Sequence, residues 1–158
     1  MIVGARPGNA SGTAYQGRRV AVLNELAKTD SNNPVVLSAL AQNVLSQRSP
    51  RSETEAMRYL ARAVELGSTN ATDYLRLGDL LAHFGHISDS VEMLQRGIRL
   101  APYNGFLYRS LALSYIAMGK YSQATEAAKQ AFQLDPEDAN IRMLLKSLLE
   151  VPAEPHAP

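Results

Sequence analysis

The amino-acid sequence predicts an all-α fold built from stacked helix-turn-helix repeats. Asn and Asp suit the position before a helix, because their short side chains accept a hydrogen bond from a free N–H of the first turn. Four such residues recur 37, 34 and 34 residues apart, each immediately before an apolar helical stretch: Asn33, Asn70, Asn104 and Asp138. A period near 34 residues is typical of a helical pair stacked on itself, and the sequence contains no convincing strand pattern.

The last two repeats agree in the residues expected to pack between helices. Gly85 and Gly119 fall in the turns between paired helices, where a positive φ costs glycine little. Pro102 and Pro136 follow each pair, because proline cannot continue a helix. The other matching positions are Tyr74, Leu77, Gly78, Leu81, Ile87, Ser90, Leu94, Gly97 and Leu100 in one repeat and Tyr108, Leu111, Ala112, Tyr115, Tyr121, Ala124, Ala128, Ala131 and Leu134 in the next.

This pattern resembles the tetratricopeptide repeat (TPR), which has an aromatic residue, Leu-Gly, Tyr, two Ala and Pro at the corresponding positions. The resemblance is strong over residues 71–136 and weaker over 34–70, where Ser68 replaces the proline. It implies a right-handed α-solenoid domain over 15–150. The three TPR-like repeats are expected at about 34–70, 71–104 and 105–138, with a C-terminal capping helix at 138–149. We expect two small residues, Gly78 and Ser90, to face each other where their helices cross.

The first repeat and the two ends differ from this regular pattern. Residues 17–29 predict a helix with Val20, Leu23 and Leu26 as its apolar stripe, either an incomplete upstream repeat or an N-terminal cap. In the first repeat, Ser52 and Glu55 are expected to form a capping box after a lengthened loop. Residues 1–14 and 151–158 lack periodicity and are predicted to be flexible, so that removing the tail changes nothing measurable. The apolar stripe of the capping helix is Ile141, Leu144, Leu145, Leu148 and Leu149.

Composition and charge argue against several classes of partner and site. The net charge is +1 with both signs interspersed, which gives no strong case for nucleic acid or an anionic membrane. The sequence has no cysteine, which excludes disulfides, thiolate zinc sites and cysteine nucleophiles. No run of about 18 apolar residues is present, so membrane insertion is not expected. The compartment, and whether the sequence is a piece of a longer protein, stay open.

Catalytic, cofactor and metal sites are not predicted. His83 and His86 have a spacing that suits two ligands of one metal, but they are more simply interpreted as solvated turn residues. No serine has a motif that places a base beside it, and no glycine-rich phosphate loop follows a strand. Methionines are interpreted as core residues, at positions Met57, Met93, Met118 and Met143.

In proteins similar to TPR domains, the first helix of each repeat lines a concave groove that binds a protein or peptide. One well-known groove holds a C-terminal carboxylate with a Lys, Asn, Asn and Lys/Arg clamp, but Ser38, Gln42, Arg76, Phe106 and Ser110 replace its residues here. Chaperone-tail carboxylates are therefore not the expected partner. Arg76 and Arg109 are instead expected to hold a carboxylate of another kind. The predicted groove residues are Gln42, Leu75, Arg76, Asp79, His83, Phe106, Arg109, Leu113 and Ile116.

Three functional hypotheses follow from the sequence. The first is a scaffold or adaptor that binds a protein or peptide in its concave groove and performs no chemistry. The second is a self-assembly module, in which the helix at residues 17–29 stacks on another copy and gives a homo-oligomer. The third is a TPR-like domain of a larger enzyme or secretion component. A concentration-dependent mass would distinguish the second hypothesis from the first.

Overall fold

The computed structural model describes residues 10–150, and it describes their side chains except those of 10–17, Arg19 and Asn24. Every regular element in this range is an α-helix, so the predicted all-α fold class is confirmed. The helices form two compact units, divided between Leu66 and Gly67. The first unit contains α1 (Ala10–Thr29), α2 (Pro34–Leu45) and α3 (Pro50–Glu65). The second contains α4 (Ala71–His83), α5 (Ile87–Leu100), α6 (Gly105–Ala117), α7 (Tyr121–Leu134) and α8 (Ala139–Glu150).

The four predicted N-cap residues all accept a backbone hydrogen bond at the start of a helix. Each bond satisfies an N–H that has no partner within its own helix. The sequence period therefore marks the true starts of α2, α4, α6 and α8. The bonds are from Val35 to Asn33 (2.9 Å), from Thr72 to Asn70 (3.1 Å), from Phe106 to Asn104 (3.1 Å), and from Asn140 (2.7 Å) and Ile141 (3.2 Å) to Asp138.

The start of α3 differs from the prediction. Ser49 is the N-cap, and its hydroxyl accepts from the Ser52 N–H (3.2 Å) while the Ser49 N–H donates to the Ser52 hydroxyl (2.9 Å). The expected capping box of Ser52 with Glu55 is therefore wrong, because Ser52 lies three residues into the motif. Pro50 explains the earlier start, since the first helical position needs no N–H and favours the fixed φ of proline.

In the first unit, α1 begins at Ala10 rather than at residue 17. No proline follows Pro7 in this region, and a glycine inside a helix costs only about 1 kcal/mol, so the helix extends through residues predicted to be flexible. Leu23 packs with Val36 and Leu40 of α2, whereas Leu26, also placed in the predicted stripe, is 43% exposed. Residues 1–9 and 151–158, for which flexibility was also predicted, lie outside the described residues.

The second unit consists of the helical pairs α4–α5 and α6–α7, with α8 packed on α7. Gly85 and Gly119 connect the paired helices with positive φ angles of 85° and 70°, as expected for these turns. The left-handed conformation of Gly119 lets the Lys120 N–H donate to the carbonyl of Tyr115 (2.9 Å), which satisfies a free acceptor at the end of α6.

The core of the second unit is continuous from α4 to α8. Leu94 and Leu107 are fully buried at its centre, and Leu148 of α8 packs in the same cluster. Gly78 faces Leu94 rather than Ser90, because a Cβ built on Gly78 would lie 2.7 Å from the Leu94 Cγ. The buried Ser90 hydroxyl lies instead 3.0 Å from that of Ser114 on α6 and forms a hydrogen bond with it.

Candidate functional site

Three side chains of α6 form one stripe that the second unit leaves partly uncovered. Phe106, Arg109 and Leu113 stand three and four residues apart, which places them on the same side of the helix. Phe106 and Leu113 are 47% and 51% exposed, and Arg109 is half-buried. Two large apolar side chains in water on one stripe indicate a surface that a further molecule can cover.

Helix α4 lies beside α6 and adds polar groups to this surface. Arg76 is half-buried and Asp79 is exposed. Among the described side chains, Arg76 takes part in no ion pair. The ring of His83, near the end of α4, packs edge-on against the ring of Phe84 with 5.3 Å between centroids. We call Arg76, Asp79, Phe106, Arg109 and Leu113 the groove face.

Arg109 is held by groups of its own chain. Its guanidinium lies 5.2 Å from the centre of the Phe106 ring, and its Nη1 is 3.6 Å from Oδ2 of Asp138. Asp138 in turn accepts hydrogen bonds at the start of α8. Arg109 is therefore already paired, whereas the sequence suggested two equivalent arginines available to a partner.

The two carboxylates near Arg109 have pKa values shifted in opposite directions. The Ile141 N–H, the Asn140 N–H and then the Arg109 charge hold the pKa of Asp138 below its ordinary value. Burial of the carboxyl group against α6 raises the pKa of Asp79, although the residue as a whole is exposed, and Ser110 and Arg109 oppose that shift. Arg109 thus lies between two acidic groups, which sets the charge of this part of the groove face.

The remaining predicted site residues either pack against the core or lie in the first unit. Leu75 and Ile116 are half-buried and pack against the core of the second unit. Gln42 is exposed on α2, in the first unit, whereas the other eight predicted residues all lie in the second.

Two methionines that the sequence predicts in the core are exposed. Met143 is 70% exposed, and Met118 is 36% exposed, so the core interpretation is wrong for both. Met143 follows Arg109 by 34 residues. The repeat register, carried into α8, therefore gives Met143 a groove position, in addition to the capping role that the sequence predicts for this helix.

Within residues 10–150, no group of three or more His, Asp or Glu side chains is arranged to hold a metal ion. His83 and His86 are both exposed. None of the helices described for this chain is long and apolar enough to cross a membrane.

Comparisons with known proteins agree with the repeat pattern. Residues 105–138 match the sequence model of the tetratricopeptide repeat. No curated protein sequence matches the chain. The crystal structure of MamA is similar, with a TM-score of 0.77, 22% identity, and 94% of this chain and 85% of that chain covered.

Two further solved structures share the fold. A thermophilic TPR protein of Thermus thermophilus has a TM-score of 0.63 and 18% identity over 80% of this chain and 69% of its own. The first TPR of Spaghetti (RPAP3), bound to an HSP90 peptide, has a TM-score of 0.67 and 13% identity over 76% of this chain and 93% of its own. The resemblance to the tetratricopeptide repeat family is therefore confirmed: residues 105–138 match such a repeat, and the chain has the fold of solved TPR structures.

Proposed function

We propose that the chain binds a protein or peptide segment on the groove face and catalyses no reaction. The observation that supports this most directly is the exposure of Phe106 and Leu113 on one stripe of α6. Fully burying such a side chain contributes about 1.5–3 kcal/mol, so covering the exposed half of each recovers about 1 kcal/mol. Nucleic acid is not proposed as a partner, because a net charge of +1 offers little attraction to phosphates.

The charges of the groove face favour a partner segment with a carboxylate between large apolar side chains. Arg76 has no acidic partner among the described side chains and is half-buried, so a carboxylate there would form a partly desolvated pair. Phe106 and Leu113 then contact the flanking apolar residues. The RPAP3 domain of similar fold is bound to the peptide SRMEEVD, which contains acidic residues and is therefore consistent with this chemistry. The replaced clamp residues favour an internal segment here over a C-terminal one.

Selection of displayed peptides on the full chain tests the proposal. The enriched sequences should carry Asp or Glu next to Leu, Phe or Met. A selected peptide is then titrated by calorimetry against the variants Arg76→Glu, Phe106→Ser and Leu113→Ser. Because Arg76 is half-exposed, its reversal should weaken binding by about 1–2 kcal/mol. Each apolar replacement should cost about 1 kcal/mol.

Two exposed residues away from the groove face serve as matched controls. Arg99→Glu makes the same charge change on α5, and Leu149→Ser removes a leucine of α8 that is 62% exposed. Both should bind the peptide as the parent chain does. Equal affinity for the controls and the three groove variants would place the binding surface elsewhere and refute the proposal.

Self-association is a second candidate, supported by the surface of α1. Val22 and Leu26 stand one turn apart and are 58% and 43% exposed, and together with Ala21 they line a shallow depression of about 320 Å³. A second copy covering this strip would give a homo-oligomer. Light scattering across a concentration series would show a rising mass, and the double variant Val22→Glu, Leu26→Glu would abolish the rise. A constant monomer mass would exclude this candidate.

A further inference from the structure

A second concave surface lies at one end of the second unit, where the C-terminal ends of α5 and α7 meet the start of α6. We call it the edge depression. Its volume is about 610 Å³, and the side chains used below are Leu100, Tyr103, Phe106, Leu134 and Asp135. Tyr103 is 86% exposed and Leu100 is 45% exposed. A tyrosine so fully in water, beside other apolar groups, indicates a surface made for contact rather than for packing.

The position of Asp135 in the edge depression is fixed by the close approach of two helices. A Cβ built on Gly105 would lie 3.4 Å from the carbonyl oxygen of Ala131, 3.6 Å from the Cβ of Leu134 and 3.7 Å from the Cβ of Asp135. The first residue of α6 therefore packs directly on the end of α7. As a result, the Asp135 side chain is held next to the residue that precedes Phe106.

The one charged side chain among the residues that line the edge depression is the carboxylate of Asp135. Leu100 ends α5 and Leu134 ends α7, and each helix C-terminus carries about half a negative charge on its free carbonyl groups. The carboxylate of Asp135 adds a full charge and forms no ion pair with the described side chains. The opposing positive groups are the start of α6, whose Phe106 N–H is already bonded to Asn104, and Arg99 in the last turn of α5, which does not line the depression. The charges that line the edge depression therefore favour a cation.

The aromatic rings also favour a cation. The Phe106 ring is already occupied by the guanidinium of Arg109, 5.2 Å from the ring centre, which shows that an aromatic ring in this region binds a cation. Tyr103 offers a second ring, which is exposed. Arginine stacks on aromatic faces better than lysine, because its guanidinium is planar and more weakly hydrated.

We propose that the edge depression binds a positively charged side chain, arginine in preference to lysine, of a protein partner. The guanidinium pairs with Asp135 and stacks on Tyr103, while Leu100 and Leu134 contact its methylene groups. This inference goes beyond the groove face and does not depend on it, because Phe106 is the one residue shared by that face and the nine residues that line the edge depression. A partner that engages both surfaces would carry an acidic and a basic residue at separate points.

Nuclear magnetic resonance titration of the full ¹⁵N-labelled chain tests the inference. The probes are the N-acetyl amides of arginine, lysine and citrulline, the last being a neutral analogue of arginine with nearly the same shape. Arginine should shift the backbone amides of Tyr103, Gly105 and Asp135 in a saturable way at millimolar concentration. Lysine should act more weakly, and citrulline should not act at these amides.

Variants separate the edge depression from the groove face. Asp135→Asn and Tyr103→Ser should each weaken arginine binding by about three- to fivefold, the range of an exposed ion pair or cation–π contact. Asp89→Asn is the matched control, since it removes an exposed carboxylate at the other end of α5, and it should bind like the parent. Arg76→Gln should also bind like the parent, so failure of the groove proposal would leave this result unchanged.

Three results would overturn the inference. Equal shifts with citrulline would show an apolar patch without charge recognition. Unchanged arginine affinity in both Asp135→Asn and Tyr103→Ser would place the probe elsewhere. The absence of saturable shifts at residues 100–106 and 134–135 would show that the edge depression binds no such side chain.

Discussion

Ser68 donates a hydrogen bond of 2.6 Å from its hydroxyl to Oδ2 of Asp73, and both residues are buried. The other carboxylate oxygen of Asp73 accepts from the side-chain amide of Asn70 (3.2 Å), and the Tyr74 hydroxyl donates to the carbonyl of Ser68 (2.9 Å). Ser68 stands where the repeat pattern has proline. Its hydroxyl, which also accepts from the Asn70 N–H (3.2 Å), therefore anchors the start of α4 through hydrogen bonds that proline cannot make.

Restoring the pattern at this position should destabilise the chain. Ser68→Pro removes a donor from the buried Asp73 carboxylate, which costs about 1–3 kcal/mol. Ser68→Ala should cost a similar amount, because it removes the same donor without changing the backbone. Urea unfolding of both variants measures the effect. A proline variant more stable than the parent would contradict the anchoring role.

Gly78→Leu should be strongly destabilising. Even a Cβ at Gly78 would lie 2.7 Å from the Cγ of Leu94, which is fully buried, so the packing of α4 on α5 must shift. Overpacking of this kind typically costs about 1–3 kcal/mol, and the larger side chain should reach the upper end. Thermal unfolding measures this loss of stability, with Ala117→Leu at an exposed position of α6 as the control. An unaltered melt for Gly78→Leu would show that the register of α4 on α5 is different.

The acid dependence of stability should report the charge on Asp138. Because its pKa is lowered in the folded chain, the ionised form stabilises the fold above its ordinary pKa, and this contribution disappears as pH falls through the lowered value. Asp138→Asn keeps a capping oxygen but removes the charge.

The melting temperature of Asp138→Asn should therefore lie below that of the parent at about pH 7, and the gap should close as pH falls below the ordinary aspartate pKa of 3.8. Asp79 titrates with the opposite sign, since its raised pKa favours the folded state in acid. It is present in both proteins, so its contribution largely cancels in the difference. A gap independent of pH would show that the charge of Asp138 does not contribute.

Removing α8 should uncover the core of the second unit. Ile141 is fully buried and Leu148 nearly so, and each buried side chain of this size contributes about 1.5–3 kcal/mol. A chain truncated after Pro136 should lose about 3 kcal/mol or more of unfolding free energy, or aggregate. Calorimetry and light scattering measure the two outcomes. Full solubility with an unchanged melt would show that α8 is not a structural cap.

The sequence predicts local features of this fold more reliably than contacts between helices. The caps at Asn70 and Asn104 are predictable because a cap depends on three neighbouring residues. The turn at Gly119 is predictable because it depends on the φ angle of one residue. The partner of Gly78 depends instead on how α4 and α5 rotate against each other. A shift of one turn on α5 replaces the expected Ser90 by Leu94.

In the groove face, too, relationships within one helix are predictable from the sequence and contacts between helices are not. Repeat positions place Phe106 and Leu113 on one stripe, because that relationship lies within a single helix. They do not reveal that Arg109 is paired with Asp138, since the two residues are 29 positions apart and meet only when α8 docks. Pairing of this kind requires the three-dimensional arrangement.

The buried hydrogen bond between Ser90 and Ser114 joins α5 of one repeat to α6 of the next. The Ser114 hydroxyl also donates to the carbonyl of Ser110 in its own helix (3.0 Å), so the burial of Ser90 depends on Ser114 more than the reverse. A chimera that replaces the second of these repeats by a foreign one without serine at the position of Ser114 would leave the Ser90 hydroxyl without this partner in an apolar junction. The two repeats are thus specific for each other at this contact, and protein engineers who recombine this array should transfer residues 71–138 together.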